Sequence, residues 1–176
     1  ALRVVAEEVA ERARTELDHG RWDAAAETAA LVVRRRRVSP LPVVIALSVI
    51  GRVRARRGDP DVWSPLDEAL ALAGVELQRI EPAAVARAEA AWLAGDQARV
   101  VAETDRVLGL AESRDADWVV GEIASWRARA GAPITPAIAV AEPYALELAG
   151  KHEEAAECWT ALGCPYESAL ARAGAR

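Results

Sequence analysis

Few residues of this chain have the types and spacing that metal binding or redox chemistry requires. His19 and His152 are the only histidines, and each lies at or near a glycine in a predicted turn. Cys158 and Cys164 are the only cysteines. A zinc site needs three or four converging ligands, and His152, Glu154 and Cys158 are too loosely spaced to supply them. The sequence therefore predicts no metal or cofactor, and two small buried cysteines rather than a redox pair.

Motifs for catalysis are equally scarce. Acidic residues are plentiful, but the groups at 7–11 and 153–157 fall on the predicted outer faces of helices. No serine occurs in a Gly-x-Ser-x-Gly context, and no glycine-rich loop would hold a phosphate. We therefore expect that the chain is not an enzyme.

Arginine is the residue type best suited to recognising a partner. Four consecutive arginines at 34–37 follow a predicted helix, where cations complement the helix dipole. A docking patch for an acidic partner is the second interpretation, and direct DNA contact is the third. Residues 1–58 carry a net charge of +5 and residues 59–176 one of −10, so the chain as a whole is acidic. This balance predicts no direct nucleic-acid binding by this segment.

Length and composition limit the fold class. A chain of 176 residues is long enough for one domain or one repeat array, here residues 1–176. Alanine, valine and leucine supply the apolar content and phenylalanine is absent, which favours packed helices over a β-sandwich. No segment resembles a signal peptide, and the apolar run at 41–51 is too short to span a bilayer. We expect a cytoplasmic protein without membrane contact and, because methionine is absent, a piece of a longer chain.

Glycines set a regular period along the chain and divide it into about nine or ten predicted helices. Successive intervals between the first four helix-ending glycines are 38, 37 and 36 residues, and the next interval is 19 residues. These glycines are Gly20, Gly58, Gly95, Gly131 and Gly150. A period in the mid-thirties with two antiparallel helices per unit is typical of tetratricopeptide-like arrays, in which stacked hairpins share a core. We predict an all-α fold of antiparallel helical hairpins, stacked as a right-handed solenoid.

Prolines and charged segments predict several of the helix boundaries. The second helix continues into the arginines at 34–37, the fifth spans about Pro82 to Ala94, and the last begins near Pro165, a residue suited to a first helical turn. The sixth helix covers residues 97–111. A loop at 133–136 replaces the helix expected there, and the next helix lies near 139–149.

Some positions resemble the tetratricopeptide motif directly. Gly51 and Gly58 lie seven residues apart, as two glycines of the first helix do in that motif. Ala25 and Ala155 each follow a turn glycine by five residues, where the motif has a small residue in its second helix. The proline that ends the motif is missing or displaced, so the array is divergent.

The last third of the chain resembles a narrower family. The segments WVVGEIASWRARAG, AEPYALELAG and WTALGCPYESAL occur in that order at residues 118–131, 141–150 and 159–170. They are similar to the helical-repeat region of large actinobacterial LuxR-type transcriptional regulators, the class related to MalT. In that family an ATPase module precedes the repeats and a helix-turn-helix domain follows them. This chain contains no G-x-x-x-x-G-K-[ST] loop, and the resemblance puts the DNA-binding domain after these residues, so neither ATP hydrolysis nor DNA binding is implied for them.

The resemblance implies a regulatory scaffold that senses an inducer or a protein partner. Its partners would be a protein, a peptide or the flanking modules of the same chain. The alternative is a stand-alone tetratricopeptide-like adaptor that binds a peptide or protein and has no link to transcription. The modules encoded on either side of this segment would distinguish the two.

The concave face of the predicted array is the expected binding surface. Arg52 and Arg56 lie four residues apart on one helix face, and arginine pairs bind carboxylates bidentately. They are expected to be free in the groove for an acidic peptide or ligand, although some groove residues would instead pack against neighbouring hairpins. The face mixes arginine with aromatic residues, as interface hot spots do. The residues predicted there are Ser48, Arg52, Arg56, Glu89, Trp92, Trp118, Ser125, Arg129 and Tyr144.

Overall fold

The chain is helical throughout the part that the structure describes. The computed structural model describes residues 2–35 and 39–174, which hold eleven α-helices and no strand. The all-α prediction is therefore confirmed for these residues. The helices are α1 (Leu2–Asp18), α2 (Trp22–Val33), α3 (Pro40–Arg57), α4 (Trp63–Ala73), α5 (Leu77–Leu93), α6 (Gln97–Asp105), α7 (Leu108–Glu112), α8 (Asp117–Arg129), α9 (Glu142–Leu148), α10 (His152–Ala161) and α11 (Pro165–Gly174).

One turn geometry recurs where these helices end. The Gly20 N–H donates to the Leu17 carbonyl at 3.0 Å, and the Arg21 N–H donates to the Glu16 carbonyl at 2.8 Å. This pair of bonds is the Schellman motif, which needs a left-handed residue that glycine adopts without strain. The same pair occurs at every glycine of the predicted period and at Gly163, each with φ between 70° and 78°. The prediction that these glycines end helices is confirmed.

Helix α5 lies at the centre of the packing. Residues 81–91 are buried without interruption, so this helix is covered on all sides. Six of those residues are alanines, and their small side chains let neighbouring helices approach closely. Helices α3, α4, α6 and α8 all pack against α5. More generally, each helix packs against the next, and several also pack against the next but one, as α1 does against α3.

The C-terminal helix meets the N-terminal hairpin. A Cβ added at Gly20 would lie 2.9 Å from the Pro165 side chain at the start of α11. Beside this contact, the Trp22 and Tyr166 rings pack edge to face, with centroids 5.9 Å apart. The two ends of the described chain therefore touch, and the face between them is partly enclosed.

Tertiary packing moves one predicted helix boundary. Helix α5 begins at Leu77, not at Pro82, which lies inside the helix. An internal proline costs about 3 kcal/mol because it removes a hydrogen bond and crowds the preceding turn. Leu77 and Ile80 pack against the apolar core, and this burial holds the extra turn in place.

The predicted helix at 97–111 is two helices. Val107 leaves the helical region with φ −124°, which separates α6 from α7. The Thr104 hydroxyl donates back to the Val100 carbonyl at 2.8 Å, a contact that bends helices.

Two other expectations concern helix ends. Helix α2 stops at Val33, so it does not continue through the arginine run, of which Arg36 and Arg37 lie outside the described residues. Residues 132–141 form no helix, which confirms the predicted loop, and α9 begins at Glu142 rather than near 139.

Two glycines allow close contact between helices. A Cβ at Gly51 would overlap the Leu66 side chain, which is fully buried and has no room to move. A Cβ at Gly121 would lie 2.5 Å from the Tyr144 ring. By contrast, Gly109 in α7 has nothing within 4 Å of its Cβ position.

We expect Gly51→Ala to destabilise the fold by about 1–2 kcal/mol. Overpacking costs roughly 1–3 kcal/mol, and better helix propensity offsets about 0.5–1 kcal/mol of it. Urea denaturation would measure the difference. Gly109→Ala is the matched control and should be neutral or slightly stabilising. Equal effects at the two positions would contradict the close approach of α3 and α4.

Candidate functional site

Two arginines of α3 share one buried carboxylate of α5. Arg52 Nε lies 2.5 Å from Glu89 Oε2, and Arg56 Nε lies 2.6 Å from Glu89 Oε1. The side chains of Arg56 and Glu89 are both 0% exposed. Charges removed from water in this way persist only when they are paired. Burial alone would raise the pKa of Glu89, but the two guanidinium groups outweigh it and hold the pKa at about 2.

Each arginine also contacts a second carboxylate from a distant part of the chain. Arg52 Nη2 lies 2.7 Å from Glu122 Oε1 on α8, and Arg56 Nη2 lies 3.2 Å from Glu167 Oε1 on α11. We call these five residues the arginine–glutamate cluster. The Arg56 guanidinium also stacks 3.8 Å from the centroid of the Tyr166 ring. The cluster therefore ties four helices together.

A cavity of about 280 Å³ opens beside this cluster. We call it the central cavity. Its charged lining comprises two arginines and four carboxylates, and the rest is aromatic, apolar or neutral polar. The lining residues are Arg14, Thr15, Asp18, His19, Arg52, Glu81, Trp118, Val119, Glu122, Tyr144, Trp159, Leu162, Cys164 and Glu167.

Three aromatic rings from α8, α9 and α10 form one wall of the central cavity. Tyr144 and Trp159 pack edge to face with centroids 5.0 Å apart, and Trp118 lies 6.0 Å from Tyr144 and 6.2 Å from Trp159. Trp159 is fixed by a 2.8 Å hydrogen bond from its Nε1 to Glu147. Trp118 is 48% exposed and Leu162 is 46% exposed. Two large apolar side chains therefore face solvent beside this cavity.

Two carboxylates of the central cavity have no hydrogen-bond donor among the described residues. Glu81 is only 7% exposed, and its nearest cation is Arg14, with 3.9 Å between Nη2 and Oε1. Asp18 is half-buried and makes no hydrogen bond or close ion pair within the described chain. Burial raises the pKa of Glu81 to about 7 and also raises the pKa values of Asp18 and Glu167.

The structure brings together only some of the predicted groove residues. Arg52, Trp118 and Tyr144 line the central cavity together. Arg56 and Glu89 lie behind them, so the expectation that Arg56 is free for a ligand is wrong, because its side chain is fully buried and paired. Arg52 likewise already contacts two carboxylates.

The remaining predicted residues do not line the central cavity, although Ser125 and Arg129 line a small neighbouring cavity with Arg52 and Tyr144. Ser48 is buried and donates to the Val44 carbonyl at 2.8 Å, and Trp92 packs on Trp126 with centroids 5.6 Å apart. Ser125 and Arg129 line a second cavity of about 210 Å³, where Arg129 pairs with Glu147.

The carboxylates of the central cavity were not predicted from the sequence. Glu122 was detectable, because it follows Trp118 by four residues and precedes Ser125 by three, so the helical period places all three on one face. Asp18, Glu81 and Glu167 come from three different helices, and only the tertiary fold brings them together.

The described residues contain no group of three or more His, Cys, Asp or Glu side chains that could hold a metal ion. Cys158 and Cys164 are both free and partly buried. Burial, with the nearby carboxylates Glu167 and Asp18, raises the pKa of the Cys164 thiol to about 11, so it stays protonated at neutral pH.

Comparison of the chain with protein-family models, curated proteins and solved structures gives no match. Within the described residues, none of the helices has the length and apolar character needed to cross a membrane. The resemblance to LuxR-type regulators therefore rests on the three segments at 118–131, 141–150 and 159–170.

We expect Glu89→Gln to destabilise the protein by about 3–5 kcal/mol, because it leaves Arg52 and Arg56 with a buried charge that is no longer balanced. Urea denaturation at pH 7 would measure the loss. Glu68→Gln, on the exposed face of α4, is the matched control and should change stability by less than about 0.5 kcal/mol. A Glu89→Gln variant as stable as this control would contradict the role of the cluster.

Glu81 should make the protein less stable as the pH rises. Its folded pKa of about 7 exceeds the ordinary 4.5, so the folded state binds this proton more tightly than the unfolded state does. Its contribution to stability is therefore fully present below about pH 4.5 and is lost as the pH rises through 7. Glu81→Gln should remove that loss, so its stability relative to wild type should improve by roughly 2–3 kcal/mol between pH 5 and pH 8. Urea denaturation at both pH values tests this, and an unchanged difference would contradict it.

Proposed function

We propose that this chain is the sensing segment of a LuxR-type transcriptional regulator related to MalT. In this proposal the helices form a tetratricopeptide-like right-handed solenoid, which acts in the cytoplasm without catalysis or DNA contact of its own. It detects an inducer or a protein partner and relays that event to flanking modules. The glycine period and the three ordered segments at 118–131, 141–150 and 159–170 support this function.

The observation that carries the proposal is the composition of the walls of the central cavity. Asp18 comes from α1, Arg52 from α3, Glu122 from α8 and Glu167 from α11. An occupant would touch the first helix and the last helix at the same time. It would therefore bind more tightly to the arrangement in which the two ends of the chain meet than to one in which they are apart. A sensor requires this difference in binding free energy between two arrangements.

A stand-alone adaptor is the second candidate. Trp118 and Leu162 are large, exposed and part of the cavity lining, and they offer apolar contacts that a peptide side chain could use. An adaptor would need no flanking ATPase or DNA-binding module.

The regulator proposal predicts that cavity residues control transcription in the full-length gene product. Leu162→Ala removes an apolar contact to the occupant and should raise the inducer concentration needed for half-maximal reporter activity by roughly threefold to tenfold. Leu72→Ala is the matched control, since Leu72 is 38% exposed on α4 and does not line the central cavity. A promoter reporter in the producing organism measures both.

Two results would contradict the proposal. A gene product without a phosphate-binding loop before this segment and a helix-turn-helix domain after it would exclude the regulator and favour the adaptor. Equal reporter responses for the Leu162 and Leu72 variants would show that the central cavity does not sense the inducer.

A further inference from the structure

We infer that the central cavity binds an organic cation, an ammonium or guanidinium group carried on a small apolar body. This inference rests on the proposed function, because it names the ligand class of the same sensing site. It reverses the charge expected from the sequence, which pointed to an acidic ligand held by Arg52 and Arg56.

The first support is the charge of the lining. Four carboxylates face two arginines, and the pair of Arg56 and Glu89 behind them leaves this excess unchanged. Arg52 is also occupied, since it contacts Glu89 and Glu122. A carboxylate ligand would meet this excess of negative charge and find Arg52 already paired. A cation would neutralise it.

The second support is the buried carboxylate of Glu81. It is 7% exposed, lines the central cavity and accepts no hydrogen bond within the described chain. Glu167 Oε2, in the same lining, is buried with no hydrogen-bond partner among the described residues. Buried polar atoms in folded proteins are nearly always hydrogen-bonded, so these carboxylates point to a donor supplied from outside the chain. Asp18 lines the same cavity and likewise lacks a donor. An ammonium or guanidinium group offers several N–H donors to such carboxylates.

The third support is the aromatic wall. Trp118, Tyr144 and Trp159 line the same cavity as these carboxylates. Aromatic faces attract cations through their quadrupole and also accept apolar groups. The cavity volume of about 280 Å³ is close to the lower end of small-molecule pockets, near 300 Å³, and suits a small amine rather than a folded partner.

The test compares three probes that differ in charge and share one apolar body. These are 2-phenylethylamine, 2-phenylethanol and 3-phenylpropanoate, titrated into the full chain by calorimetry at pH 8, where Glu81 is mostly ionised. The amine should bind about tenfold more tightly than the alcohol, because it gains a charge-assisted hydrogen bond. The carboxylate should bind most weakly.

Variants locate the cation within the cavity. Glu81→Gln should lower the amine affinity by about tenfold and leave the alcohol affinity within about twofold. Glu68→Gln is the control for the loss of one negative charge and should change neither. Trp118→Ala should weaken the amine and the alcohol together. Thermal denaturation checks that each variant folds, and the comparison of amine with alcohol inside one variant cancels any general loss of structure.

Several outcomes would overturn the inference. Equal affinities for the amine and the alcohol would do so, as would an amine preference that survives Glu81→Gln. An amine that does not bind at about 10 mM would also overturn it. Tighter binding of 3-phenylpropanoate would reject the cation yet leave a sensing cavity. Amine binding to this chain, together with a gene product that encodes no phosphate-binding loop before the segment and no helix-turn-helix domain after it, would uphold the cation and reject the regulator.

Discussion

The structure depends on one buried carboxylate, Glu89, that two arginines share. Placing three charges inside a protein costs several kcal/mol each unless their geometry is good and their remaining donors are occupied. Arg52 and Arg56 each gain a second carboxylate, Glu122 from α8 and Glu167 from α11, and Arg56 Nη1 alone among their buried nitrogens has no hydrogen-bond partner within the described chain. The requirement therefore acts on four helices at once. It fixes how α3 faces α5 and where the last helix must return.

The central cavity opens directly against the arginine–glutamate cluster, because Arg52, Glu122 and Glu167 belong to both. The central cavity is lined by four carboxylates and only two arginines, so its lining keeps an excess of negative charge. Glu81 and Asp18 gain no donor from the described chain, so they oppose folding wherever they are ionised. Positions that break the rules of stability in this way are typical of functional sites.

How much of this was predictable depends on the range over which each interaction acts. Gly20 and its equivalents end helices through bonds within six residues, so the sequence was enough to identify them. The helical turn before Pro82 depends on burial against other helices, and local sequence patterns carry no information about that burial. Arg56 is the clearest case, because its partners lie 33 and 111 residues away. Helical period placed it on the same face as Arg52, but only the fold shows that this face is already occupied.

The same physics links ligand binding to the closure of the chain. A cation in the central cavity would supply Glu81 and Asp18 with a counter-charge and donors, so groups that oppose folding would become groups that favour it. A ligand at one hundred times its dissociation constant stabilises the form that binds it by about 2.7 kcal/mol. That amount is comparable to the roughly 2–3 kcal/mol expected for the ionisation of Glu81 alone. Because Asp18 lies on the first helix and Glu167 on the last, this stabilisation would apply to the arrangement in which the ends meet. The buried charges that hold α3, α5, α8 and α11 together would thereby also make their arrangement responsive to a small molecule.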